Sequence, residues 1–145
     1  MLEELMSDDD TNATLRKVDF AAVAAKGANE RYEQDLIDAL SGGTNCMVRY
    51  VSTPASGGSP AGLHVHEFDQ LFFIVSGTMN IEIDGDVFQA EPGSLVVFRE
   101  GVPHRNWNEG PSETVHLAIN SPLPDPNRPI SISVGRGPGT NSPSR

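Results

Sequence analysis

From Gln70 onward the chain is cut into short apolar runs by pairs of turn-forming residues, and that rhythm leaves few folds open. Gln70 to Val75, Thr78 to Asp84, Asp86 to Ala90 and Ser94 to Phe98 are rich in Val, Ile and Phe. Ser76-Gly77, Asp84-Gly85 and Pro92-Gly93 separate them. Asp-Gly between alternating runs signals a tight hairpin, because both central residues of that turn need positive φ. Val102 to Asn108 and Glu113 to Asn120 read as two further strands, joined through Glu109-Gly110-Pro111. Short strands with regular turns and no helix between them predict an all-β chain, an antiparallel β-sandwich or barrel.

The flanks are different. Residues 1–14 are acidic and polar and predict a flexible arm. Leu15 to Ala25, with several alanines, predicts a short N-terminal helix that Gly27 can end. Local propensity in Glu30 to Leu40 allows a helix, and Ser41-Gly-Gly reads as a turn. Asn45 to Ser52 reads as a strand, and Thr53 to Gly62, rich in Pro, Gly and Ser, as a loop. Beyond Ser121 the chain is proline-rich; Ile130 to Val134 can add an edge strand, and residues 135–145 read as disordered. With 145 residues and no internal repeat, a single domain over residues 15–134 is expected.

Ten basic against twenty acidic residues give a formal charge of −10 and a pI near 4.6. Such a balance argues against nucleic acid or an anionic membrane surface as a partner. The lone Cys46 has no intramolecular disulfide partner and is expected as a small buried apolar side chain. Neither a secretory leader nor a run of membrane-spanning length is visible, so a cytoplasmic location is the expectation.

Chemistry concentrates in His64-Val65-His66 and Gln70. In an extended strand His64 and His66 point to one face, and Gln70, an even number of residues on, can return to it. Two imidazoles and an amide oxygen are neutral metal donors, and His104 is available beyond the next strands. An isolated His-x-His pair is also compatible with an ordinary surface pair, although the apolar run Leu71 to Val75 behind it favours a packed rear face.

The spacing of these residues resembles that of the cupin superfamily. Gly58, five residues, His64-x-His66, three residues, Gln70, six residues and Gly77 follow its first motif. Gly93, Gly101, His104 and Asn108 fit its second, and the fifteen residues between the motifs match small single-domain members. Two positions depart: Gln70 stands where the family usually has Glu, and Arg99 where it usually has Pro. The resemblance covers Cys46 to Asn120 and implies a jelly-roll β-barrel, strands just ahead of the first motif, and one divalent metal ion on His64, His66, Gln70 and His104. It implies a small-molecule substrate and a homodimer. The activity expected is that of a dioxygenase acting on an enolisable or phenolic compound. A non-redox isomerase or cyclase, or a non-catalytic binding protein for a sugar or metabolite, are the alternatives. Fe, Mn, Ni, Cu and Zn all suit nitrogen and mixed nitrogen–oxygen donors.

Parity extends the assignment. If His64, His66 and Gln70 face inward, Phe72 and Ile74 do too, as pocket wall or plain core. Ile81, Ile83, Val96 and Phe98 are further lining candidates. Trp107 and Tyr50 can stack on an aromatic substrate or simply pack. His116 can serve as a pocket acid or base or have a structural role. Arg49 and Arg99 can bind a carboxylate or be solvated surface charge. Gln70 in place of a carboxylate leaves a divalent ion its full charge, a stronger Lewis acid that favours anionic ligands. Glu67 and Asp69 have the opposite parity and reach the ion only if the strand bulges.

Overall fold

The computed structural model describes residues 14–43, 45–58 and 62–134, so the expected arm up to residue 13 and the tail from 135 lie outside the described residues. One short helix, α1 (Phe20–Ala25), precedes β1 (Tyr32–Ile37), β2 (Met47–Thr53), β3 (His64–Val65), β4 (Asp69–Ser76) and β5 (Met79–Ile83). Then follow β6 (Asp86–Ala90), β7 (Leu95–Phe98), β8 (His104–Trp107), β9 (Thr114–Ser121) and β10 (Ile132–Ser133). The strands form two antiparallel sheets, β1-β2-β9-β4-β7 and β10-β3-β8-β5-β6, which face each other without closing into a barrel. The all-β sandwich expected from the turn rhythm is therefore present, in its open form.

Local chemistry accounts for the boundaries. Asp84 (φ 52°) and Gly85 (φ 92°) make the two-residue turn between β5 and β6, with Ile83 opposite Asp86. Gly77, at φ 77°, has no room for a side chain: a Cβ would lie 2.5 Å from the Glu113 carbonyl oxygen. The helix is shorter than expected because Asp19 caps it, its carboxylate accepting from the Ala22 amide at 3.0 Å. Glu30 to Leu40 resolves into β1 and a 3₁₀ turn, Ala39–Ser41, which Asp38 caps. Pairing with β2 overrides the helical propensity there. Cys46 is half-buried just ahead of β2 rather than within a strand.

The apolar core sits between the sheets and is built from Phe72 and Ile74 (β4), Met79 and Ile81 (β5), Ala90, Val96, Phe98 and Ala118. Phe98, Ile74 and Ile81 are fully enclosed. Burying each such side chain is worth about 1.5–3 kcal/mol. The inner faces change character along the strands: β4 runs from Ile74 through Phe72 to Gln70, and β9 alternates buried His116, Ala118 and Asn120. Apolar packing thus gives way to a polar cavity.

Candidate metal centre

The histidines reach a common point from two motifs. His64 on β3 lies directly opposite His104 on β8, and His66 follows immediately after β3. Their ring centroids are 4.4 Å (His64 and His104), 4.7 Å (His64 and His66) and 4.9 Å (His66 and His104) apart. One nitrogen from each lies within 4.8 Å of the others, and all three rings are buried. In each ring Nδ1 faces a backbone carbonyl: Gly62 for His64, Ile130 at 2.7 Å for His66, and Val102 at 3.0 Å for His104. A carbonyl only accepts, so each Nδ1 carries the hydrogen and each neutral ring presents a bare Nε2. That second contact fixes both tautomer and ring orientation, as metal-binding histidines require.

Gln70 completes the cluster from the other sheet. Its amide nitrogen donates to Asn120 Oδ1 at 2.8 Å, which turns Oε1 to within 3.0 Å of His66 Nε2. Two lone pairs meet there, and a cation between them relieves the repulsion. His104 Nε2 is buried with no hydrogen-bond partner among the described residues. Burial, above all, lowers the pKa of His66, and brings that of His64 to about 4 and of His104 to about 3, so the rings are neutral at pH 7. Neutral imidazoles, a converging amide oxygen and an orphaned ring nitrogen fit a divalent metal ion, and His64, His66 and His104 could hold one.

The centre opens on a cavity of about 250 Å³, whose wall includes Phe72, Asn106, His116, Arg31 and Arg49. His116 on β9 is almost wholly enclosed. Burial, with a smaller push from the Arg31 charge, lowers its pKa to about 3. Its Nδ1 has no partner among the described residues, and its ring lies 4.1 Å from that of Phe72.

Of the apolar lining candidates, Phe72 alone reaches the cavity wall. Ile74, Ile81, Val96 and Phe98 lie in the apolar core instead, and Ile83 packs against it. Phe72 and Ile74 share the inner face of β4, and depth along the strand decides between core and cavity. Arg49, expected as solvated charge or carboxylate ligand, lines the cavity, while Arg99 is exposed. Trp107 shares β8 with His104 but has the opposite parity, and Arg105 lies 5.0 Å from its ring centre. Tyr50 packs edge-on to Phe20 and Tyr32, at 6.2 Å from each. Glu67 is exposed and bound to Arg128, and Asp69 accepts from the Glu100 amide, so neither joins the cluster.

Gln70 itself arrives by another route than a continuous strand. The chain leaves β3 after Val65 and crosses to the opposite sheet before β4. Sequence reasoning also missed Phe68, stacked on His66 at 4.7 Å, the Ile130 carbonyl, Asn106, Asn120 and Arg31. For Arg31 a signal existed: reading residues 30–40 as a strand places Arg31, Glu33 and Asp35 on one face.

Comparison with known proteins gives the same picture. The Cupin domain family matches residues 50–120. No curated protein matches the sequence. Among solved structures, the polyketide cyclase RemF from Streptomyces resistomycificus is 20% identical, with TM-score 0.61 over 87% of this chain and 82% of that one. An RmlC-like cupin with a double-stranded β-helix fold from Methanocaldococcus jannaschii is 12% identical, with TM-score 0.61 over 77% and 92%. KdgF from Halomonas sp. is 20% identical, with TM-score 0.57 over 66% and 81%. At these identities the likeness is one of fold. With the family match lying over the strands that carry both histidine motifs, the chain belongs to the cupin superfamily as a small domain of that kind.

Proposed function

We propose that this protein is a metal-dependent enzyme that moves a proton on a small enolisable molecule, giving isomerisation or cyclisation. The observation that carries the reading is the neutral donor set opening on a cavity whose opposite wall holds a buried, unprotonated histidine. A divalent ion on His64, His66, His104 and Gln70 supplies Lewis-acid polarisation of a substrate oxygen, or, if redox-active, chemistry with dioxygen. Gln70 adds no charge and offers no base. His116, with Nδ1 unpartnered and the ring braced on Phe72, is the titratable group placed to take a proton from carbon and return it elsewhere; held at about 3 by burial, it gains basicity only as negative charge develops on the bound substrate. A polyketide cyclase uses the same fold.

A dioxygenase acting on a phenolic substrate is the second reading. The ring of Phe72, braced edge-on at 4.7 Å by that of Phe98 in the core behind it, gives the cavity wall a face on which a flat aromatic can lie. The test begins with elemental analysis of protein purified without a histidine tag, expecting about one equivalent of metal per chain. Enolisable ketones are then incubated in D₂O without oxygen. Deuterium at the α-carbon supports proton transfer; turnover of phenols only with oxygen consumption moves the assignment to the dioxygenase. Saturable binding with neither reaction leaves a binding protein.

A further inference from the structure

The inner face of the β1–β2 edge carries charges that the metal reading does not use. Arg31 Nε donates to Glu33 Oε2 at 2.7 Å, and Arg31 Nη1 to Thr53 Oγ1 at 3.2 Å and the Gly58 carbonyl at 3.1 Å. Arg49 Nε donates to Asp35 Oδ1 at 2.6 Å, and its Nη1 lies 3.4 Å from Glu33 Oε1. Glu33 thus holds one guanidinium with each oxygen, side by side. Among the described residues no partner is shown for Nη2 of either arginine, and both side chains, only about a quarter exposed, line the cavity. His64 and His104 sit on the other sheet; within this one, Arg49 faces Ala118, which faces Phe72, a span of two strand spacings. At about 4.8 Å each, that is roughly 10 Å.

We propose that Arg31 and Arg49, yoked through Glu33, form a carboxylate-binding subsite, so that the substrate carries a carboxylate besides the oxygen it presents to the metal histidines. The inference rests on the metal-centre reading for the second half of that statement and on the arginines alone for the first. Planar guanidinium forks suit a planar carboxylate. Two arginines against Glu33 and Asp35 leave the wall without net charge, which suits a singly charged group better than a doubly charged phosphate. A ladder that fixes both forks before the ligand arrives lowers the ordering cost of binding.

The test compares 4-hydroxyphenylacetate with its neutral analogue 4-hydroxyphenylacetamide by calorimetry, on metal-free and metal-loaded protein. The acid is expected to bind about tenfold tighter than the amide in both forms. Arg31→Gln and Arg49→Gln each abolish that preference without changing metal content. The doubly substituted Glu33→Gln, Arg49→Gln protein, which keeps the charge balance, does the same. Equal affinity of the two probes for unsubstituted metal-free protein overturns the subsite, and needs no variant to do so. A preference that survives both arginine substitutions overturns it too. Tighter binding of 4-hydroxybenzylphosphonate than of the acid overturns the carboxylate assignment. Failure of the metal reading is separate: it shows as absent metal and as probe binding unaltered in His104→Ala, with the acid preference intact.

Discussion

At the scale of single residues, the reading of Gln70 as a neutral fourth donor is open to a direct test. Gln70→Glu restores a negative donor, so metal is kept or held more tightly while azide binding to the loaded protein weakens; an unchanged azide affinity contradicts the charge argument. His104→Ala is expected to remove most bound metal, read by elemental analysis, and to leave the β-rich circular dichroism intact. His116→Gln, which keeps a polar group without a useful base, should lower turnover by about 10²–10⁴ at unchanged metal content. The sequence made His64 and His66 legible through their two-residue spacing. It did not show how Gln70 reaches them, because a period-two argument assumes one strand and the chain changes sheets between Val65 and Asp69. The tautomers were equally hidden: the carbonyl that orients His66 belongs to Ile130, 64 residues away.

At the scale of elements, turns were the most legible feature because their chemistry is local. Asp84-Gly85 announced the β5–β6 hairpin, and the structure has it with Ile83 opposite Asp86. Gly85→Ala meets no atom within 4 Å but keeps a positive φ, and should cost about 1 kcal/mol in urea unfolding. Gly77→Ala should cost clearly more, since its Cβ would strike the Glu113 carbonyl as well. Residues 30–40 were ambiguous: local propensity allows a helix, and only the family resemblance puts strands ahead of the first motif. Their strand exists because β2 offers an edge to pair with, which no window of eleven residues contains. Core and cavity were confused for the same reason: Phe72 and Ile74 share a face, and only the neighbouring strands decide that Phe72 borders the cavity and Ile74 the packed interior.

The whole molecule should be sensitive to mild acid. His64, His104 and His116 are held at about 4, 3 and 3, mainly by burial, whereas in an unfolded chain each titrates near 6.5. Below pH 6.5 the unfolded chain therefore takes up protons that the folded protein refuses. Stability of metal-free protein is flat above that pH and falls on acidification, with a slope approaching about 1.4 kcal/mol per pH unit for each group. Urea titrations at pH 7.5, 6.5 and 5.5 measure the slope, and His116→Gln should make it shallower by about one histidine. A free energy constant over that range would contradict neutral burial. Among the described residues no helix is long and apolar enough to cross a membrane.

The crossing between Val65 and Asp69 has a mechanical side. His64 and His104 project from one sheet and Gln70 from the other, and the sheets do not close into a barrel. An ion gripped by both leaves is a clasp on an open book, its spine being the core around Phe98. Chelation should then quicken amide exchange near the clasp, in β3, β8 and the start of β4, and leave the spine at Ile74, Ile81 and Phe98 as slow as before.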